Sequence, residues 1–125
     1  MNKFDLLSKA SEIVENRGGE YGDVLDNHNR IAAIWSVILG IHIKAEQVAL
    51  CMAGTKIARL TNTPDHMDSW LDLAGYAAVG SECLQIKKEK ITNNEKLIEI
   101  NKELDSLNNT FNKSIKERNK IKSLI

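Results

Sequence analysis

The chain of 125 residues has no surplus of charge, with 17 Lys+Arg against 17 Asp+Glu. A protein that grips nucleic-acid backbone regardless of sequence carries an excess of Lys and Arg, so bulk nucleic-acid binding is not expected. Cysteine is scarce. Cys51 and Cys83 alone cannot build the disulfide framework of a small secreted domain, and no Cys/His spacing matches a zinc site. No apolar run approaches the ~20 residues of a membrane-spanning helix, and the opening MNKFDLLSKA mixes charged and apolar residues too closely for a secretory signal. These absences lead to the expectation of a cytoplasmic chain with no membrane partner. Strand signals are also missing, since no stretch alternates cleanly over six residues. The expected fold class is therefore all-α.

Glycine and proline are unevenly spread. All seven Gly lie at or before Gly80, and Pro64 is the single proline. Both Trp, both Tyr and all three His precede residue 77, whereas the remainder from Ile86 is dominated by Lys, Asn, Glu, Leu and Ile. Charge divides at the same place. Residues 1–85 carry 7 basic and 11 acidic side chains, and residues 86–125 carry 10 and 6, so the neutral total joins a −4 body to a +4 tail. The expected organisation is a helical domain over 1–88 and a Lys/Asn-rich C-terminal helix over 89–125, used for packing or oligomerisation.

Four helices are predicted in the body. Phe4, Leu7, Ala10, Ile13 and Val14 recur at helical spacing up to Gly18-Gly19. Ile31, Ile34, Trp35, Ile38 and Leu39 form a second run that stops at Gly40. A third extends from about Lys44 to Leu60, with Val48, Met52 and Thr55 on one stripe. Thr61-Asn-Thr-Pro-Asp65 then breaks the chain, because proline disfavours helix at the residue before it. Asp65 or Asp68 is placed to cap a fourth helix containing Trp70, Leu71, Leu73, Ala74, Ala77 and Ala78. In the tail, Leu97, Ile100, Leu104, Leu107 and Phe111 keep a 3-4 heptad rhythm for about two heptads. A helix of that kind is marginal alone in water, so the stripe is expected to pack, either on its own domain or on another copy.

Three polar clusters interrupt the apolar pattern. The segment Arg17 to Asn27 reads as a Gly-rich connection with Tyr21 and Asp23, followed by His28. Its glycines would admit a ligand to backbone N–H groups, and the alternative is a plain helix–helix link. Lys56 and Arg59, three apart, face the same way and can hold a phosphate, Arg by a forked contact. Alternatively they complement the dipole at a helix C-terminus. In the third cluster, Asp68 and Asp72 lie one turn apart. Two such carboxylates can hold Mg²⁺ together with substrate phosphates, and His66 beside them can donate to phosphate or exchange a proton. The structural alternative, helix capping by the acids, explains Asp68 better than Asp72. Tyr76 shares the Asp72 face and, like Tyr21, is a candidate for stacking on a base.

The pattern Tyr21-Gly22, Asn27, Trp35, Lys56-x-x-Arg59, His66-x-Asp68-Ser69-x-x-Asp72-x-x-Gly75-Tyr76 resembles a small helical domain of unassigned function common in phages and prophages. That domain is in turn similar to the MazG-like all-α nucleotide pyrophosphohydrolases. The resemblance covers about residues 15–85 and not the tail. It implies a MazG-like helical bundle of about four helices with a long C-terminal helix added, a homo-oligomer, and residence in the cytoplasm of a bacterial host. MazG-like enzymes carry Glu-Glu-x-x-Glu on one helix and Glu-x-x-Asp on the next, and these carboxylates bind Mg²⁺. Asp65-x-x-Asp68, or Asp68 with Asp72, is a counterpart of the second motif. The first is missing, and its helix offers Lys56 and Arg59 instead.

Two functions follow as expectations. In the first, the chain binds a phosphorylated nucleotide without efficient hydrolysis and needs no cofactor. The ligand would be a nucleotide immune signal, a cyclic oligonucleotide or an ADP-ribose derivative, sequestered by a phage protein. Arg17, Lys56 and Arg59 would meet phosphate. Asp68 and Asp72 would meet ribose or base, and Tyr21, Asn27, His66 and Tyr76 would complete the site. In the second, the chain is a Mg²⁺-dependent (d)NTP pyrophosphohydrolase with the metal on Asp68 and Asp72. A helical interaction module acting through its tail is a third reading.

Overall fold

The computed structural model describes residues 1–125, with Tyr21 described in its backbone only. Four α-helices follow one another, α1 (Lys3–Tyr21), α2 (Val24–Leu39), α3 (Ala45–Asn62) and α4 (Met67–Ser123), and no strand occurs among the described residues. The all-α expectation holds. The chain divides into two compact units, Met1–Lys87 and Lys88–Ile125.

Each helix end has a local cause. Asn2 starts α1 in a capping box: its Oδ1 accepts the Phe4 and Asp5 N–H groups at 2.8 and 3.0 Å, and Asp5 Oδ2 accepts the Asn2 N–H at 3.1 Å. Gly18 and Gly19 do not end α1, contrary to expectation. The helix passes through them to Tyr21 and stops at Gly22, whose φ of 75° suits only glycine without strain. Asp23 starts α2 at once, its Oδ1 accepting the Leu25 and Asp26 N–H groups at 2.8 and 3.1 Å. The expected Gly-rich loop therefore shrinks to Gly22 and Asp23. Gly40, at φ 69°, closes α2 in the left-handed conformation and donates its N–H to the Ser36 carbonyl at 2.9 Å.

The start of α4 also differs from expectation. His66, rather than Asp65 or Asp68, caps it. The Ser69 N–H donates to His66 Nδ1 at 3.2 Å, and Ser69 Oγ lies 2.8 Å from the same nitrogen. Trp70 Nε1–H reaches back to the Pro64 carbonyl at 2.9 Å and closes the turn. No separate tail helix begins near residue 89, because α4 is continuous to Ser123. The reason lies in the sequence: after Gly80 there is neither Gly nor Pro to stop it.

In the first unit, Leu25, Ala45 and Cys83 form the buried centre, with Val24, Val79 and Ile86 packed against it. Small residues let α3 and α4 approach closely. A Cβ built on Gly80 would stand 3.2 Å from Ala49 Cβ. The same two helices are tied at one end by Lys87 Nζ on Glu46 Oε2 at 2.6 Å. Several residues of the predicted stripes are not core. Phe4, Leu7, Ile34, Ile38 and Leu39 are exposed, whereas Ile13, Val14, Ile31, Trp35 and Met52 line a cleft. In the second unit every residue is exposed, including the stripe Leu97, Ile100, Leu104, Leu107 and Phe111.

Candidate functional site

The cleft lies within the first unit, among α1, α2, α3 and the first turns of α4, and holds about 810 Å³. That is within the few hundred to about 1,000 Å³ of sites that enclose small organic ligands. Its walls are apolar and partly flat. Ile13 and Val14 come from α1, Ile31 and Trp35 from α2, Met52 from α3, and Leu71 and Tyr76 from α4. The helical period explains this lining, since residues three and four apart share a face.

One side of the cleft is charged. Asp72, on α4, has a side chain only 8% exposed and faces two cations from two other helices. Lys56 Nζ, on α3, stands 2.8 Å from Asp72 Oδ2 and is 21% exposed. Arg17, on α1, comes within 3.9 Å of Asp72 Oδ1 and is 55% exposed. The three formal charges leave one positive charge in excess. The Lys56 contact is short and sheltered, whereas the Arg17 contact is long and open to solvent. Arg17 is thus the cation freer to turn to an incoming anion. Glu15, Asp23 and Glu82 also line the cleft and are exposed, and the Asp23 carboxylate is engaged in capping α2.

The cleft is also lined by His28, which is 8% exposed and lies on the same stripe of α2 as Ile31 and Trp35. Its Nδ1 is 2.9 Å from the Val24 carbonyl oxygen. A carbonyl only accepts, so Nδ1 carries the hydrogen and, in the neutral ring, Nε2 carries the lone pair. The thiol of buried Cys83 approaches the same carbonyl at 4.0 Å, and burial pushes that thiol above its ordinary range, which suits a packing role.

The sequence-predicted residues fall into two groups. Arg17, Asn27, Asp72 and Tyr76 line the cleft, and Lys56 joins them through Asp72. Arg59, His66 and Asp68 are not among its lining residues. Arg59 is exposed in the last turn of α3, where it complements the helix dipole, His66 is the cap of α4, and Asp68 is exposed in its first turn. The Tyr21 side chain lies outside the described residues. The expected pairs are thus rearranged, with Lys56 partnered by Asp72 and Arg17 rather than Arg59. Asp68 and Asp72, one turn apart, differ in surroundings: one is exposed, the other buried beside an ammonium group. His28 belongs to the first polar cluster read from the sequence, one residue after Asn27, but no separate role is assigned to it there. The signal available is its place on the Trp35 stripe.

The Asp68/Asp72 pair does not suit Mg²⁺ in this arrangement. Asp72 Oδ2 is paired with the Lys56 ammonium and Asp68 is exposed apart from it, and among the described residues no group of three or more His, Cys, Asp or Glu side chains could hold a metal ion. No helix among the described residues is long and apolar enough to cross a membrane.

Comparison with known proteins agrees with the extent of the helical unit. The family described as "Domain of unknown function (DUF6378)" matches residues 5–84. The chain is 40% identical over 78 residues to the Gene 55 protein of Mycobacterium phage L5, an alignment covering 61% of this chain and 50% of that protein. It is 37% identical over 73 residues to the Gene 55 protein of Mycobacterium phage D29, covering 58% and 48%. The chain thus spans about half the length of these curated relatives. No solved structure matches it at comparable significance.

Proposed function

The chain belongs to the DUF6378 family, whose match falls on the helical unit and stops short of the tail, and we propose that this unit binds a phosphorylated nucleotide in its cleft without efficient hydrolysis. The observation that carries the reading is the convergence of Arg17 and Lys56 on Asp72 in a cleft whose other lining is largely apolar but includes Glu15, Asp23 and Glu82. A nucleotide has the matching division, a flat heterocycle at one end and negative charge at the other. Trp35 and Tyr76 are the flat side chains available to the base, and Asn27 is an amide able to both donate and accept. Arg17 meets the phosphate by releasing a weak contact, and Lys56 remains balanced by Asp72.

In this reading the fold is a MazG-like bundle that has exchanged metal-binding carboxylates for cations. A phage protein of this kind would act by sequestering a nucleotide signal of the host, a cyclic oligonucleotide or an ADP-ribose derivative. The uncovered stripe on α4 and the exposed Ile34, Val37, Ile38 and Ile41 on and after α2 are apolar surfaces suited to self-association. We therefore propose a homo-oligomer formed by helix packing, in the cytoplasm of the host.

The test is a thermal-shift screen with nucleosides, their mono-, di- and triphosphates, cyclic dinucleotides and ADP-ribose, followed by chromatography of the recovered ligand. Stabilisation by phosphorylated members, with the ligand recovered intact after incubation with Mg²⁺, is expected. Release of pyrophosphate from a (d)NTP would move the assignment to a pyrophosphohydrolase. Stabilisation by none of them would end the nucleotide reading.

A further inference from the structure

The cleft contains a second polar feature, on α2, that the nucleotide reading leaves unused. We propose that His28 Nε2 is the base-selecting acceptor of the cleft, receiving a hydrogen bond from an N–H group of the bound nucleobase. This rests on the cleft's being a nucleotide site.

Three observations lead to it. The Val24 carbonyl, 2.9 Å from Nδ1, holds the hydrogen on that nitrogen and fixes the ring, so the neutral imidazole presents a lone pair at Nε2. The side chain is 8% exposed and lines the cleft, and among the described residues no donor is bonded to Nε2. No buried side-chain nitrogen or oxygen among the described residues lacks a partner, so Nε2 is open to the cleft; a ligand that covers it without supplying a donor is disfavoured against one that supplies one. Its neighbours decide which part of the ligand it meets. Ile31 and Trp35 follow it along α2, while Arg17 and Lys56 gather at Asp72. A flat, uncharged heterocycle fits beside His28, and the phosphate belongs with the cations.

The test uses the full chain at pH 8. Affinities are measured for AMP, GMP, CMP and UMP, and for counterparts with the N–H groups of the pairing edge methylated. Wild type is expected to bind at least one parent nucleotide about tenfold or more tightly than its methylated form. His28→Phe keeps a flat ring of similar volume but no acceptor, so it should bind the two forms within about threefold of each other. Its preference for nucleotide over nucleoside should be unchanged. Persistence of the discrimination in His28→Phe would mean steric exclusion and would overturn the proposal. A second readout needs no variant. ¹⁵N-resolved imidazole spectra should show the Nδ1–H form of His28 in the free protein and a displaced Nε2 resonance with the bound nucleotide. An Nε2–H form, or an Nε2 resonance indifferent to a nucleotide that binds, would overturn it equally. Binding without discrimination removes the His28 assignment alone, whereas no binding by any nucleotide removes the site reading and this assignment with it.

Discussion

Lys56 Nζ on α3 lies 2.8 Å from Asp72 Oδ2 on α4, both largely shielded from water. Removing the carboxylate strands an ammonium group that is only 21% exposed. Asp72→Asn should destabilise the protein by about 1–3 kcal/mol, read as a lowered urea midpoint. Arg17→Ala removes a long contact from a half-exposed side chain and should cost below about 1 kcal/mol. Equal losses for the two variants would mean that Lys56 and Arg17 do not differ as described.

Glu46 and Lys87 give a pH signature. The Lys87 ammonium bonded to Glu46 holds its carboxyl below the ordinary carboxylate range. A carboxylate with a depressed folded-state pKa stabilises the protein fully above its unfolded value, and the contribution is lost as pH falls through the folded one. Lys87→Met should therefore lower the melting temperature at pH 7, and the gap to wild type should close as pH falls toward 3. A gap independent of pH would assign the effect to packing.

Two glycines of the helices should respond oppositely. Gly54 on α3 has open space where a Cβ would stand, with nothing within 4 Å besides its chain neighbours and the nearby backbone of its own helix, so Gly54→Ala should stabilise by about 0.5–1 kcal/mol through helix propensity. At Gly80 the first added carbon already meets Ala49 at 3.2 Å, and Gly80→Val should cost about 1–3 kcal/mol by forcing α3 and α4 apart. Thermal denaturation of both variants reads the difference.

The exposed stripe of the second unit predicts self-association. Leu104→Glu with Leu107→Glu should reduce sedimentation-determined mass toward that of one chain and leave the melting transition of the helical unit in place. Added salt should also favour dissociation if the −4 body and +4 tail attract one another. An oligomer insensitive to salt leaves the apolar stripe as its cause.

Local signals in the sequence carried part of this far. Gly40 and Pro64 marked real breaks, and the absence of strands followed from the lack of alternation. The stripes on α1 and α2 were visible as stripes, but not that Ile31 and Trp35 would face a cleft while Ile34 and Ile38 faced solvent. Periodicity gives a face and not what lies opposite it. Gly18-Gly19 misled because glycine is tolerated within a helix at about 1 kcal/mol each, and the positive φ that ends α1 falls at Gly22. Lys56-x-x-Arg59 suggested a pair because the two are near in sequence. The pairing of Lys56 and Arg17 at Asp72 joins three helices, and no local rule predicts it.

The most direct measurement is isothermal titration of a nucleotide selected by the screen, and of the corresponding nucleoside, into wild type and Arg17→Ala. One nucleotide per chain should bind wild type. Arg17→Ala should weaken the nucleotide about tenfold and leave the nucleoside's affinity unchanged, as expected of a charge-assisted contact confined to phosphate. A nucleoside bound as tightly as its nucleotide, or a nucleotide affinity untouched by Arg17→Ala, would contradict the assignment of the Arg17–Lys56 edge to phosphate.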